Sequence, residues 1–159
     1  MPPRPAPRPV PLDLAVPAVL AEVLRLQRAA YAVEAALIGD DRIPPLHESA
    51  EQLRAAGLDW LGVARADGAG DVAAAVAWVV EDGLLDLHRL VVDPAWARRG
   101  LGRALVQHLL AAHPDLRVTV STGRDNLPAR RLYEGRGFQE AGTVEVLPGL
   151  AVTRYVLER

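Results

Sequence analysis

Three arginines and two glycines stand together in the segment RRGLGR, just after an apolar run that ends at Val92. Asp93-Pro94 breaks this run, and the apolar spacing of ALVQHLLAAH, which follows the segment, is helical. Backbone N–H groups at a helix start attract an anion, and arginines add charge-assisted hydrogen bonds. The spacing predicts a phosphate site; its residues are Arg98, Arg99, Gly100, Leu101, Gly102 and Arg103. On these residues alone, a capped turn with solvated arginines is the alternative.

The composition excludes several other kinds of chemistry. The chain has 159 residues, half of them apolar, which suits one soluble domain. It has no cysteine, all 18 basic residues are arginine, and its four histidines lack metal-ligand spacing. We therefore expect no thiol nucleophile, no Walker P-loop and no metal. The net charge of -2 gives no reason to expect a nucleic-acid or membrane partner, and we expect a cytoplasmic protein.

The proline-rich residues 1–11 predict a flexible arm ahead of a single domain over residues 12–159. Helical spacing predicts a long helix over 17–38 that ends at Gly39. The segment DDRIPPLHES predicts a loop, and a second helix over 50–56 follows, capped by Ser49. These two helices precede every predicted strand.

Strands are predicted over 60–66, 72–80 and 84–92, joined by the turns DGAG and EDG as an antiparallel meander. A helix over 100–112, a strand over 116–122, a helix over 128–134 and strands over 138–146 and 151–157 complete the chain. Because a strand joined to the next through a helix implies a parallel pair, we expect an α/β fold. Its central sheet is mixed and mostly antiparallel, with flanking helices.

A second motif, NLPARRLYEGRGF, begins 26 residues after Gly100. A strand, the RRGLGRAL helix, another strand and then this motif, in this order, resemble the acetyl-CoA-binding core of the GNAT family of N-acetyltransferases. The resemblance runs from about Gly57 to the end of the chain, and it implies the acyl-CoA N-acyltransferase fold. One departure is visible, because Ala97 stands where the family usually has glutamine or arginine.

The resemblance implies acetyl-CoA as co-substrate. The backbone of Leu90, Val91 and Val92 would pair with the pantetheine arm, and residues 98–103 would hold the pyrophosphate. Asn126 matches an asparagine near the pantetheine arm, and Tyr133 matches a tyrosine that faces the coenzyme sulfur. The alternatives are a helix cap for Asn126 and a packed aromatic ring for Tyr133.

The resemblance also places a proton acceptor on the strand 84–92, because an ammonium must lose a proton before it attacks a thioester. Alternation puts Asp86, His88 and Leu90 on one face, and it puts Leu87, Arg89 and Val91 on the other. His88 would accept the proton, and Asp86 would orient it or attract the cationic substrate. A water-lined sheet face, with deprotonation relayed by water, is the alternative.

The first helix would form a wall of the acceptor site. Tyr31 and Glu34 lie three residues apart on one helical face and could meet an amine, with Asp40, Asp41 and Glu48 nearby. A solvated acidic face is the alternative. The predicted function is transfer of an acetyl group from acetyl-CoA to a small primary amine by direct attack in a ternary complex. A non-catalytic acyl-CoA sensor is the competing hypothesis, and the exposed edge of the C-terminal hairpin is the expected homodimer surface.

Overall fold

The computed structural model describes Pro2, residues 8–65 and residues 71–159. The helices are α1 (Pro17–Ile38), α2 (Pro44–His47), α3 (Ala50–Ala55), α4 (Leu101–Ala112) and α5 (Leu127–Glu134). The strands are β1 (Val10–Pro11), β2 (Asp59–Ala64), β3 (Val72–Glu81), β4 (Leu84–Val92), β5 (Arg117–Gly123), β6 (Gln139–Leu147) and β7 (Leu150–Leu157).

The strands of the described residues form one sheet in the order β1-β2-β3-β4-β5-β7-β6. Only β4 and β5 are parallel, because α4 carries the chain between them, and the other neighbours are antiparallel. The predicted α/β fold with a mixed, mostly antiparallel sheet is confirmed. β6 lies at one end of this sheet, where it exposes Val144 and Val146.

A hydrophobic core lies on each face of the sheet. On one face, α4 and α5 cover the sheet through side chains such as Leu105, Leu109 and Tyr133. On the other face, Val23 and Leu26 of α1 pack against β3 and β4. The sheet is thus the middle layer of three, and a site between its strands would be reached from both helical layers.

The boundaries of α1 follow from local chemistry. Pro17 occupies the first helical position, and Gly39 ends the helix in the left-handed conformation with a φ of 69°. Ser49 and Gln52 form a reciprocal capping box at the start of α3. The predicted helices over 17–38 and 50–56 therefore begin where the structure places them, and the second ends one residue earlier.

Two segments differ from the sequence-based expectations, and two others lie outside the described residues. Residues 44–47, expected in a loop, form α2, because two prolines at its start need no helical hydrogen bonds. Val10 and Pro11, predicted to belong to the flexible arm, pair with Gly62 and Leu61 of β2. The DGAG turn and residues 1 and 3–7 of the arm lie outside the described residues.

A β-bulge interrupts the pairing of β3 with β4. Ala77 pairs with Arg89 and Trp78 pairs with Leu87, so His88 stands between them as an extra residue. The predicted alternation along the whole strand is therefore wrong. Leu90 packs into the same core as Leu87, whereas Val91 belongs to the opposite core.

Candidate active site

The site lies where β4 and β5 separate. Their parallel pairing ends at Leu87 and Val120, although β4 continues to Val92 and β5 to Gly123. A cavity of about 230 Å³, here called the fork cavity, occupies this opening. Its lining residues are Tyr31, Glu34, Ile43, Pro44, Pro45, Leu87, His88, Leu90, Val120, Ser121, Thr122, Gly123, Asn126, Ala129, Tyr133 and Val152. Six predicted catalytic, coenzyme or acceptor residues thus reach one cavity: Tyr31, Glu34, His88, Leu90, Asn126 and Tyr133.

Tyr133 of α5 is only 3% exposed, yet it lines the fork cavity. Its ring packs edge-on against Phe138, with the ring centres 5.4 Å apart, and lies 6.2 Å from the ring centre of Tyr155. Burial raises the pKa of the Tyr133 phenol. The side chain is therefore a packed aromatic, as the alternative held, and also a neutral hydroxyl at the cavity wall.

Tyr31 and Glu34 line the fork cavity from α1. Burial raises the pKa of the Glu34 carboxyl, and the side chain of Asn126 opposes that rise. Burial also raises the pKa of the Tyr31 phenol, while the positive charge of Arg89 acts in the opposite direction. The predicted acceptor pair is therefore partly withdrawn from water, where its interaction with a cation is stronger than on an open helical face.

Asn126 has two roles in the structure. Its Oδ1 accepts a hydrogen bond of 3.3 Å from the backbone N–H of Ala129, which caps α5. Its side chain also lines the fork cavity beside Glu34, where it lowers the pKa of that carboxyl. The cap that the sequence offered as an alternative is therefore present, and it holds the side chain at the cavity.

His88 and Asp86 are joined on β4. His88 Nε2 lies 3.0 Å from Asp86 Oδ2, and Asp86 Oδ1 accepts a 2.7 Å hydrogen bond from Thr119. His88 lines the fork cavity, and it also borders a second, open cavity of about 480 Å³ that includes Asp86. His88, the extra residue of the bulge, therefore lies between the fork cavity and the open cavity.

The predicted phosphate turn carries the backbone geometry that an anion site needs. Arg98 and Gly100 are in the left-handed conformation, with φ of 62° and 75°. No side chain caps α4, and its first helical bond runs from Ala104 to Gly100, so the preceding amides have no partner within the helix. These features fit a pyrophosphate held by backbone N–H groups at a helix start.

Trp96 is a residue that the sequence analysis missed. It ends a short 3₁₀ turn, Pro94–Trp96, and the Arg99 guanidinium lies 4.4 Å from the centre of its ring. This cation–π contact orders an otherwise exposed arginine beside the phosphate turn. An aromatic residue shortly before an arginine-rich turn is a signal that could have found it.

Gly100 and Gly102 have different roles. The positive φ of Gly100 favours glycine, and a Cβ there would meet open space. Gly102 is buried, and a Cβ on it would lie 3.5 to 3.7 Å from side chains of Val92, Leu132 and Leu90. The missing side chain of Gly102 therefore faces the core of the protein, not the turn where an anion would bind.

Glu48 is not part of an open acidic cleft. It lies 3.4 Å from Arg89 Nη2 and accepts a 3.0 Å hydrogen bond from Gln27, which is completely buried. Arg89 also donates to the carbonyl of His88. Asp40 forms a separate ion pair with Arg42, which lowers the pKa of its carboxyl to about 2. Of the acidic residues predicted for the acceptor site, Glu34 lines the fork cavity.

These features, a fork between parallel strands with a helix-start turn beside it, place the chain in a known class. The model of the acetyltransferase (GNAT) family matches residues 21–138, and the chain belongs to this family. The resemblance predicted from the two motifs is thus confirmed.

Two curated relatives match at the sequence level. The chain is 34% identical over 137 residues to the UPF0157 protein YqkA of Bacillus subtilis, covering 86% of this chain. It is 49% identical over 78 residues to a mycothiol acetyltransferase of Kineococcus radiotolerans, covering 47% of this chain. The matches span 39% and 26% of those two proteins, so both relatives are much longer than the region they share with this chain.

Solved structures share the fold. The ribosomal-protein-S18-alanine N-acetyltransferase of Escherichia coli gives a TM-score of 0.75 at 20% identity, covering 96% of this chain and 93% of that one. The paia N-acetyltransferase of Thermoplasma acidophilum, solved in complex with coenzyme A, gives 0.69 at 14% identity, covering 94% and 98%. Among the described residues, no helix combines the length and apolar character that crossing a bilayer requires.

Proposed function

We propose that this protein transfers an acetyl group from acetyl-CoA to a small primary amine within a ternary complex. The observation that carries the proposal is the fork cavity, where Glu34, His88 and Tyr133 lie beside the end of β4. The turn at the start of α4, proposed to bind the pyrophosphate, follows β4 in the chain, and a Cβ on its Gly102 would lie 3.7 Å from Leu90, which lines the cavity. The thioester of the coenzyme, when bound, supplies an electrophilic carbonyl carbon next to a good leaving group.

The coenzyme would lie along the end of β4. From Leu90 to Val92 this strand pairs with β3 on one side, while its pairing with β5 has already ended. Its other edge can therefore hydrogen-bond to an extended amide-containing chain such as pantetheine. The amides at the start of α4 would hold the pyrophosphate, with Arg98, Arg99 and Arg103 adding charge. The side chain of Asn126 would meet the pantetheine arm.

The acceptor would enter as an ammonium ion. The carboxylate of Glu34 and the phenol of Tyr31 line the fork cavity, and they would bind and orient the cationic group. His88 would then take one proton from the ammonium, which leaves a nitrogen lone pair to attack the carbonyl carbon. Because His88 also borders the open cavity, this proton can pass to solvent.

Bond changes then complete the transfer. A C–N bond forms, the C–S bond breaks, and the electron pair of that bond leaves with sulfur as a thiolate. The second nitrogen proton is lost as the amide forms, and the thiolate gains a proton to become coenzyme A. Since burial raises the pKa of Tyr133, its phenol remains protonated and can donate a hydrogen bond to the developing sulfur charge.

A thiol-release assay tests this function well, because the chain has no cysteine and the only new thiol is coenzyme A. The purified protein would be given acetyl-CoA with a polyamine, an amino acid amide, a peptide with a free N-terminus or an aminoglycoside. We expect thiol release with at least one of these amines. The Tyr133→Phe variant is the control, and we expect it to release thiol more slowly. Tight binding of coenzyme A by calorimetry, without thiol release for any amine, would instead support a sensor.

A further inference from the structure

We propose that Thr119 is a positioning residue for the reaction, acting through Asp86 to fix the tautomer of His88. The inference rests on the proposed function for its kinetic consequence. The tautomer of His88 itself can be measured independently of that function. Thr119 contacts Asp86 and is absent from the lining of the fork cavity, so it would act on the reaction only through its neighbours.

The three side chains form one chain of hydrogen bonds across two strands. Thr119 Oγ1 donates to Asp86 Oδ1 at 2.7 Å, and Asp86 Oδ2 lies 3.0 Å from His88 Nε2. Each carboxylate oxygen therefore has its own partner. Thr119 is only 3% exposed, whereas the side chains of Asp86 and His88 are partly exposed. The buried threonine is thus the fixed end of the chain, and the histidine is the accessible end.

The sheet register explains why these residues meet. Asp86 and Thr119 are direct partners in the parallel pairing of β4 with β5, one position before that pairing ends. His88 follows two residues later as the extra residue of the bulge, where it has no partner on β3. The last paired part of the sheet therefore anchors the carboxylate, and the carboxylate reaches the first residue beyond it.

The contact has a direct chemical consequence. A neutral imidazole carries one proton, and a carboxylate accepts it at Nε2. Nδ1 is then left as the unprotonated nitrogen that can take a proton from an ammonium. A carboxylate that turned away would allow both tautomers, and a fraction of the molecules would then present an N–H where a base is needed. Thr119 holds the carboxylate in place by occupying its other oxygen.

The test compares Thr119→Val, which keeps the shape and removes the donor, with Thr119→Ser, which keeps the donor. Thr153→Val is the matched control, since Thr153 is also buried and bonds to another threonine, Thr143, on β6. The first readout is the long-range ¹H–¹⁵N spectrum of the histidine rings, with His88 assigned by its loss in His88→Gln. We expect the Nε2–H tautomer in the wild type, Thr119→Ser and Thr153→Val, and a mixture in Thr119→Val.

The second readout is turnover. We expect kcat to fall about tenfold in Thr119→Val with the KM for acetyl-CoA unchanged, the scale of one net hydrogen bond. Thr119→Ser should stay within about twofold of the wild type. If no amine is acetylated, the proposed function fails while the spectra still decide the tautomer. An unchanged His88 spectrum in folded Thr119→Val would overturn the inference, and if that variant unfolds, a tautomer mixture in Thr119→Ser would do so.

Discussion

Glu34 on α1 and Asn126 at the start of α5 meet at the wall of the fork cavity, where Asn126 opposes the rise that burial causes in the pKa of Glu34. Gly123 lies beside this pair, and a Cβ on it would come within 3.4 Å of Glu34 Oε1. This contact joins the helix proposed to bind the amine to the helix proposed to meet the coenzyme.

Glu34→Gln is expected to stabilise the fold while weakening the binding of a cationic acceptor. The raised pKa of Glu34 means that the folded protein binds this proton more tightly than the unfolded chain does. The free energy of unfolding therefore falls as the pH rises above about 4.5, the usual value for this carboxyl. The variant should be the more stable at pH 7, and the difference should vanish at lower pH.

Thermal unfolding across pH 3.5 to 8 measures this effect, and Glu51→Gln on exposed α3 is the control. For the acceptor, we expect the KM to rise about tenfold, the scale of a hydrogen bond to a charged group, with the KM for acetyl-CoA little changed. A less stable variant at pH 7 would contradict the assigned desolvation of Glu34.

Tyr133→Phe is expected to lower kcat by about 100-fold, the scale of one lost transition-state donor. The Phe138 and Tyr155 contacts of the ring are kept, so the affinity for coenzyme A should change little. Steady-state kinetics and calorimetry together separate these two quantities. Unchanged turnover would remove Tyr133 from the mechanism.

Trp96→Leu is expected to weaken coenzyme binding although Trp96 itself need not touch the coenzyme. The change removes the ring under Arg99, a contact that contributes about 0.5 to 1 kcal/mol at exposed sites. We expect a several-fold rise in the Kd for coenzyme A. In an Arg99→Gln background the same change should have little further effect, and additive losses would show that the two residues act separately.

Gly100→Ala and Gly102→Ala should differ in stability. A Cβ at residue 100 forces a non-glycine residue to a φ of 75°, which costs about 1 kcal/mol or more. At residue 102 the Cβ finds ordinary contact distances, and alanine is the better helix former. Chemical denaturation should therefore show a loss for the first variant and no loss for the second. Equal losses would contradict the ordinary contact distances that a Cβ on Gly102 would have.

The β6 edge is proposed as the homodimer surface. Val144 is 60% exposed and Val146 is 51% exposed on this terminal strand. We expect sedimentation to give the mass of a dimer, and Val144→Arg with Val146→Arg to give the mass of a monomer. A wild-type monomer at all concentrations up to the millimolar range would contradict the proposal.

The elements that local chemistry specifies could be predicted from the sequence. Pro17 and Gly39 mark the ends of α1, and turn residues separate the strands, so the fold class followed. The two motifs also identified the family, and the second motif contains Asn126 and Tyr133, which line the fork cavity. α2 could not be predicted, because two prolines followed by a histidine are as typical of a loop as of a helical turn.

Contacts between side chains that are far apart in the sequence could not be predicted from it. The pairing of Arg89 with Glu48 depends on how the segment after α1 folds back onto β4, and no local pattern encodes it. The contact of the Trp96 ring with Arg99 depends on the tight 3₁₀ turn Pro94–Trp96, which follows β4. Both involve groups that sequence spacing alone would place in solvent.

The bulge at His88 also determines which side chains of β4 face each of the two cores. With an extra residue present, odd-numbered side chains face the α4 core before it and the α1 core after it. Deleting His88 would leave regular alternation along β4, with Leu85, Leu87, Leu90 and Val92 still facing the α4 core. The packing of the strand therefore does not require the inserted residue.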